Sequence, residues 1–137
     1  MESMTDCRII SVAPMLNVAD IIAEVTFFRD VLGFTDLLGE PGYAVMHRDG
    51  NEIHIAENHD EEVLSHVKGR MQIYVQTDDI DALWEHAQAF SETYRTRALF
   101  EREYGMTEFH MQTPGGILVF VAEGTGHRQE RLAATGA

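Results

Sequence analysis

The chain has 137 residues, 23 acidic against 10 basic, for a formal net charge of −13, with 45% hydrophobic residues, three prolines and a single cysteine. That length suits one core or two fused half-size modules, and no apolar run approaches the roughly 20 residues that span a bilayer, so a soluble globular protein without a membrane partner is expected. The acidic surplus opposes nucleic acid, whose phosphates need Lys and Arg; it is either an ordinary solvated surface or a field that concentrates cationic small molecules.

Met1 to Asp6 is acidic and lacks the basic and apolar regions of a secretory signal, which makes the cytoplasm the expected compartment. One cysteine, Cys7, cannot form an intrachain disulfide and agrees with a reducing compartment. Residues 8–18 read as strand one, with Pro14 at an edge or bulge. Asp20 is a helix N-cap, and Ile21, Val25, Phe28 and Leu32 recur at helical spacing until Gly33 stops the helix. A short strand is predicted over 34–39, followed by strands at 43–48 and 52–57 around the Asp49-Gly50 hairpin signal.

Residues 58–70 are polar and read as a linker with one helical turn. Residues 71–77 alternate as a strand, Asp78 or Asp79 caps a helix with Ile80, Leu83, Trp84, Ala87 and Phe90 on one side, and strands at about 96–103, 106–112 and 117–123 follow. The tail from Gly124 has few apolar anchors and is expected to fray. Two echoes tie the halves together. Ile53 to Glu57 and Val119 to Glu123 each close an apolar run on Ala-Glu, and the strand-to-helix junctions at Asp20 and Asp79 correspond. The fold class is therefore α+β: a βαβββ module over 8–57, the linker over 58–70, a second βαβββ module over 71–123 and a tail over 124–137.

Pro14 to Asp20 followed by Phe27-Phe28-Arg29-Asp30-Val31-Leu32-Gly33-Phe34, then Asp79 to Trp84, then Gly105 to Phe109 leading into Thr113-Pro114-Gly115-Gly116, resemble the vicinal oxygen chelate superfamily. That superfamily includes glyoxalase, extradiol dioxygenases and bleomycin-resistance proteins, and the resemblance is closest to the bleomycin-resistance type. It implies two modules curving their sheets into a cup, usually within a homodimer, with any metal held by first and last strands. Counted from the caps, those four positions fall on Ala13, Gln72, His54 and Phe120, of which only His54 is a strong ligand. A catalytic zinc or iron needs about three, so no metal and no cofactor are expected.

Strand alternation sets Glu52, His54 and Ala56 opposite Ile53 and Ile55, so His54 faces the cup, either touching a ligand or held as a satisfied interior histidine. The repeat places Phe120 across the cup from His54, with Gln72, Tyr74 and Gln76 on the same wall and Tyr104 on a loop above it. The ligand-contacting set is thus His54, Phe120, Gln72, Tyr74, Tyr104 and His110, an aromatic and amide lining suited to a planar small molecule; a filled core is the alternative. The expected function is a homodimeric binding protein of the glyoxalase/bleomycin-resistance type that sequesters an aromatic or cationic molecule without a metal. The rival is a metal-dependent lyase or dioxygenase whose ligands have moved to His47, His54 and His110 or come from a partner chain.

Overall fold

The computed structural model describes residues 6–136. The order of elements is β1 (Met15–Val18), α1 (Ile21–Leu32), β2 (Thr35–Asp36), β3 (Tyr43–Arg48), β4 (Asn51–Glu57), α2 (Glu61–Val67), β5 (Gln72–Gln76), α3 (Ile80–Ala87), a 3-10 turn (Gln88–Phe90), β6 (Thr96–Glu101), β7 (Met106–Gln112), β8 (Leu118–Gly124) and α4 (Thr125–Ala134). Both βαβββ modules are present. Asp20 caps α1 by accepting from the Ala23 N–H at 3.0 Å, and Asp79 caps α3 by accepting from Ala82 at the same distance. Gly33, at φ 70°, takes the left-handed turn that ends α1, where a Cβ would be strained.

The sheets have the orders β1-β4-β3-β2 and β5-β8-β7-β6, so the first strand of each module pairs in parallel with its last. Strand β1 begins at Met15, later than the start at residue 8 that the sequence suggests. Its register sets Met15 beside His54, and β4 starts only at Asn51, so residues before about 12 run past the end of their partner. They extend as an arm with Ile9, Ile10 and Val12 each at least 85% exposed. Strand β2 is confined to two residues, because the Asp36 carboxylate accepts from the Leu38 and Gly39 N–H groups and turns the chain there.

Ile53 and Ile55 of β4 pack beneath α1, and Phe109 of β7 lies beneath α3 with Trp84 at 5.1 Å between ring centroids. Each buried aromatic or aliphatic side chain of this kind contributes on the order of 1.5–3 kcal/mol. The helices also join the halves: α1 packs against α3, the Phe27 ring meets Tyr94 edge-on at 4.9 Å, and His86 Nε2 lies 2.6 Å from the Asp30 carbonyl. Glu24, fully buried on α1, accepts from the Gly115 N–H at 2.7 Å in the turn between β7 and β8. A Cβ on Gly115 would stand 2.5 Å from Val18 and 3.0 Å from Glu24, so that approach requires glycine.

Two segments are more ordered than the sequence suggests. The linker holds two turns of helix, α2, capped by Asp60. The tail, expected to fray, forms α4. Arg128 makes two bonds to the Asp81 carboxylate at 2.8 and 2.9 Å, and Arg131 reaches Asp79, Asp81 and the buried Glu123. Glu123 also accepts from the Ile80 N–H at 3.0 Å, so α4 is tied to the start of α3 by charge rather than by apolar anchors.

Candidate functional site

Each sheet has one face under its helix and one helix-free face, and every predicted contact residue placed on a strand stands on a helix-free one. On the first sheet, His54 is the centre of a small polar group. The Tyr43 hydroxyl lies 2.7 Å from Nδ1, and the Glu52 carboxylate lies 3.7 Å from Nε2, which favours a proton on Nε2 and Tyr43 as donor. The Tyr43 and His54 rings meet edge-on at 5.7 Å. His54 is thus a half-buried, satisfied histidine on an open surface.

The second sheet carries a much denser arrangement. Register aligns Tyr74, Phe120, His110 and Arg97 in one row across β5, β8, β7 and β6. Within it the His110 and Phe120 rings are stacked at 3.7 Å and 4°, while Tyr74 meets Phe120 at 6.5 Å. The next row brings Glu108 opposite Phe100, whose ring meets His110 edge-on at 4.9 Å and lies beneath the Arg97 guanidinium at 3.6 Å. One face of Phe120 is therefore occupied by His110, and what this surface offers a ligand is the row of rings together, not an isolated phenyl plane.

Glu108 is the anchor of this face. Fully buried, it receives the Tyr74 hydroxyl at 3.1 Å and the Tyr104 hydroxyl on Oε2, and His110 Nε2 at 2.7 Å and Arg102 Nη1 at 3.5 Å on Oε1. Burial alone would raise its pKa, but the bonds from Tyr104, His110 and Tyr74 outweigh that and hold the carboxyl below its ordinary value. The cost is passed to the donors. The Tyr104 phenol is pushed up to about 12 by its bond to Glu108, and Tyr74 is raised by burial and by the same carboxylate. Of the residues gathered on this face, sequence reasoning names Tyr74, Tyr104, His110 and Phe120 and does not name Glu108, Phe100, Arg97 or Arg102. Alternation along β7 is the signal that could have found the first of these, because Glu108 faces the same way as His110.

His54 is not brought to the others. Among the described residues its bonds and ring contacts stay within the first sheet, and those of Phe120, His110, Tyr74 and Tyr104 stay within the second, so no contact joins His54 to the ring row. Gln72 is exposed on the edge strand β5. A cleft of ≈ 640 Å³ lies where the halves meet, lined by Phe34, His47, Glu52 and Ile53 from the first and Tyr74 and Gln76 from the second; of the six predicted residues only Tyr74 borders it. His47 and His54 sit on the first sheet and His110 on the second, and among the described residues no group of three His, Cys, Asp or Glu could hold a metal ion. The donor set Ala13, Gln72, His54 and Phe120 does not fit a metal, since only His54 supplies a strong ligand.

Paired βαβββ modules, each with its helix on one face and a side-chain-lined surface on the other, define the class of fold. The chain belongs to the Glyoxalase/Bleomycin resistance protein/Dioxygenase superfamily, whose family model matches residues 8–121. Among solved structures it is similar to the bleomycin-binding protein of bleomycin-producing Streptomyces verticillus complexed with copper(II)-bleomycin, at 24% identity and a TM-score of 0.68 over 86% of this chain and 98% of that one. A bleomycin resistance determinant encoded on the transposon Tn5 matches at 16% identity, TM-score 0.67, over 83% and 97%. The antibiotic-binding protein TnmS3 of Streptomyces sp. CB03234 matches at 16%, TM-score 0.64, over 82% and 93%. These likenesses establish the fold. No curated protein sequence gives a match.

Proposed function

We propose that this protein is a small-molecule-binding protein of the bleomycin-resistance type, holding an aromatic ligand in a cup without a catalytic metal. The observation that carries the reading is the ring row Tyr74, Phe120, His110, reinforced by Phe100 and fixed from below by Glu108. Rings locked by packing and hydrogen bonds lose little freedom when a planar ligand settles among them, which is where aromatic lining gains its affinity. The structural relatives that bind bleomycin or another antibiotic support the same reading.

The cup needs a second wall, and a homodimer supplies it. Supporting this are the exposed apolar arm with Ile9, Ile10 and Val12, and the unpaired edges of β1 and β5, where Met15 and Tyr74 are 54% and 50% exposed. Edges and apolar arms of this kind favour pairing, most often about a two-fold axis. In such a dimer the His54 face of one protomer lies across from the ring row of its partner. No described helix is long and apolar enough to cross a membrane.

A thermal-shift screen of planar aromatic molecules, with copper(II)-bleomycin among them, tests binding, and light scattering tests assembly. The expected result is a two-chain mass and a melting temperature raised by at least one aromatic class, with the rise lost in Phe120→Ala. A folded Phe120→Ala protein that keeps full affinity would show that the ring row is core rather than site.

A further inference from the structure

The ring row has a charged border that the overall composition conceals. With a net charge of −13, the protein as a whole favours cations. The helix-free face of the second sheet does not. The carboxylate within the face, Glu108, is fully buried and accepts from Tyr74, Tyr104 and His110, with Arg102 a longer 3.5 Å away, so little of it is open to a ligand cation. Two of the ten basic side chains instead converge on one ring: the Arg97 guanidinium lies 3.6 Å and that of Arg102 lies 5.4 Å from the Phe100 centroid, with Arg102 also 4.9 Å from Tyr104.

The two arginines differ in how far they are spoken for. Arg102 has only long contacts, 3.5 Å to Glu108 and 3.8 Å to Glu103 at the exposed hairpin tip. Arg97 is exposed, and among the described residues no carboxylate pairs with it; its one partner is the Phe100 ring. A guanidinium held flat against an aromatic ring keeps its in-plane N–H donors unused, and its planar fork matches a carboxylate bidentately. It stands at the end of the same row as Tyr74, Phe120 and His110.

We propose that this face recognises a planar aromatic acid, the rings of Tyr74 and Phe120, backed by the buried His110, taking the ligand's ring system and the Arg97 guanidinium, seconded by Arg102, taking its carboxylate. This rests on the ligand-binding reading above and narrows it, and it replaces the cationic ligand that the net charge suggests with an anionic one.

The test measures binding of three probes of one shape and different charge, 2-naphthoate, 2-naphthylmethanol and 2-naphthylmethylammonium, to the full-length protein by titration calorimetry. Naphthoate should bind about tenfold more tightly than the ammonium probe, as a charge-assisted contact at a partly exposed site implies. Arg97→Gln should weaken naphthoate about five- to tenfold while changing the neutral alcohol by less than about twofold, and Arg97→Lys should recover part of the loss. If the ammonium probe binds as tightly as naphthoate or more so, or if folded Arg97→Gln leaves naphthoate unchanged, the acid specificity is wrong while the ring site survives. If none of the three binds at millimolar concentration, the ring site itself is wrong and both readings fall.

Discussion

The two helix-free faces are built on the same backbone and furnished differently. His54 and Phe120 hold the same place in their sheets: one pairs with Met15 and Val45, the other with Tyr74 and His110. Around His54 there is one hydroxyl bond and one distant carboxylate, all half-exposed. Around Phe120 there is a row of three rings that ends in Arg97, beside a buried carboxylate with four donors. What repeats is what the fold needs, namely the Asp caps and the apolar side that packs under the helix. What diverges is the surface the fold leaves available, and that is where a ligand would be told apart.

The sharpest way to break this contrast is to remove the anchor of the denser face. Glu108→Ala takes their shared acceptor from Arg102, His110 and two hydroxyls; a hydrogen bond to a charged group contributes about 1.5–3 kcal/mol, and because Tyr74 and Tyr104 are half-exposed and can turn to water the expected loss is about 2–3 kcal/mol. His54→Ala on the other sheet should cost less than about 1 kcal/mol beyond its lost packing, since water can replace its partners. Urea unfolding of both variants gives the comparison. Equal losses would mean that the two faces are energetically alike.

A second contrast lies between the carboxylates at the junction of the halves and those on the surfaces. Burial raises Glu24, whose Oε2 has no hydrogen-bond partner among the described residues, and the Gly115 N–H and the nearby Thr113 side chain offset only part of that cost. A carboxyl whose folded pKa lies above its unfolded one takes up a proton on folding. Its contribution is fully present below the unfolded value and declines as pH rises towards the folded one. Glu108 and Asp81 have the opposite sign, because their folded values are depressed. Stability of the wild type should therefore fall relative to Glu24→Gln as pH rises above about 4.5, then level off, in denaturation measured across pH. A difference that does not change with pH would show that Glu24 is not buried as a neutral acid.

What is legible in the chain follows the same division. The Asp20 and Asp79 caps, the stop at Gly33 and the alternation of Ile53 and Ile55 are local signals, and residue order alone is enough for them to place both modules. The arm reads as strand because residues 8–14 are apolar enough to pair, but β4 starts only at Asn51, so the chain before about residue 12 runs past the end of that strand. Helix α4 escapes such a reading because its anchors, Asp81 with Arg128 and Asp79 with Arg131, are about 50 residues apart in sequence and ionic rather than apolar. Alternation along β8 puts Phe120 on the helix-free face. It says nothing of Glu108 as the anchor of that face, because a glutamate on a strand reads as exposed until its donors are known.

The ionic attachment of α4 gives a smaller effect. The Asp81 carboxyl, held down to about 2 chiefly by its bonds from Arg128, contributes stability that is complete above its ordinary 3.8 and is lost as pH falls towards 2. Asp81→Asn should release α4 at neutral pH and raise amide exchange over 125–134 while β7 and β8 stay protected. Unchanged exchange in α4 would mean that Arg131 and Glu123 hold the helix without Asp81.

The smallest effect is expected where the sparse face makes its one good bond. Tyr43 donates to His54 Nδ1 at 2.7 Å, a geometry as favourable as any around Glu108. Its setting differs: the His54 side chain is 28% exposed, and the nearest charge, Glu52, is 33% exposed and 3.7 Å from Nε2. A hydrogen bond that water can replace contributes about 0.5–1.5 kcal/mol, and partial exposure puts this one towards the low end. Tyr43→Phe should therefore lower stability by no more than about 1 kcal/mol in urea unfolding, with the ring packing against His54 retained. The same substitution at Tyr74, which removes a donor from buried Glu108, should cost more. If Tyr43→Phe proves as damaging as Tyr74→Phe, then His54 belongs to a coupled network of its own, and the first sheet is a second furnished wall rather than a plain one.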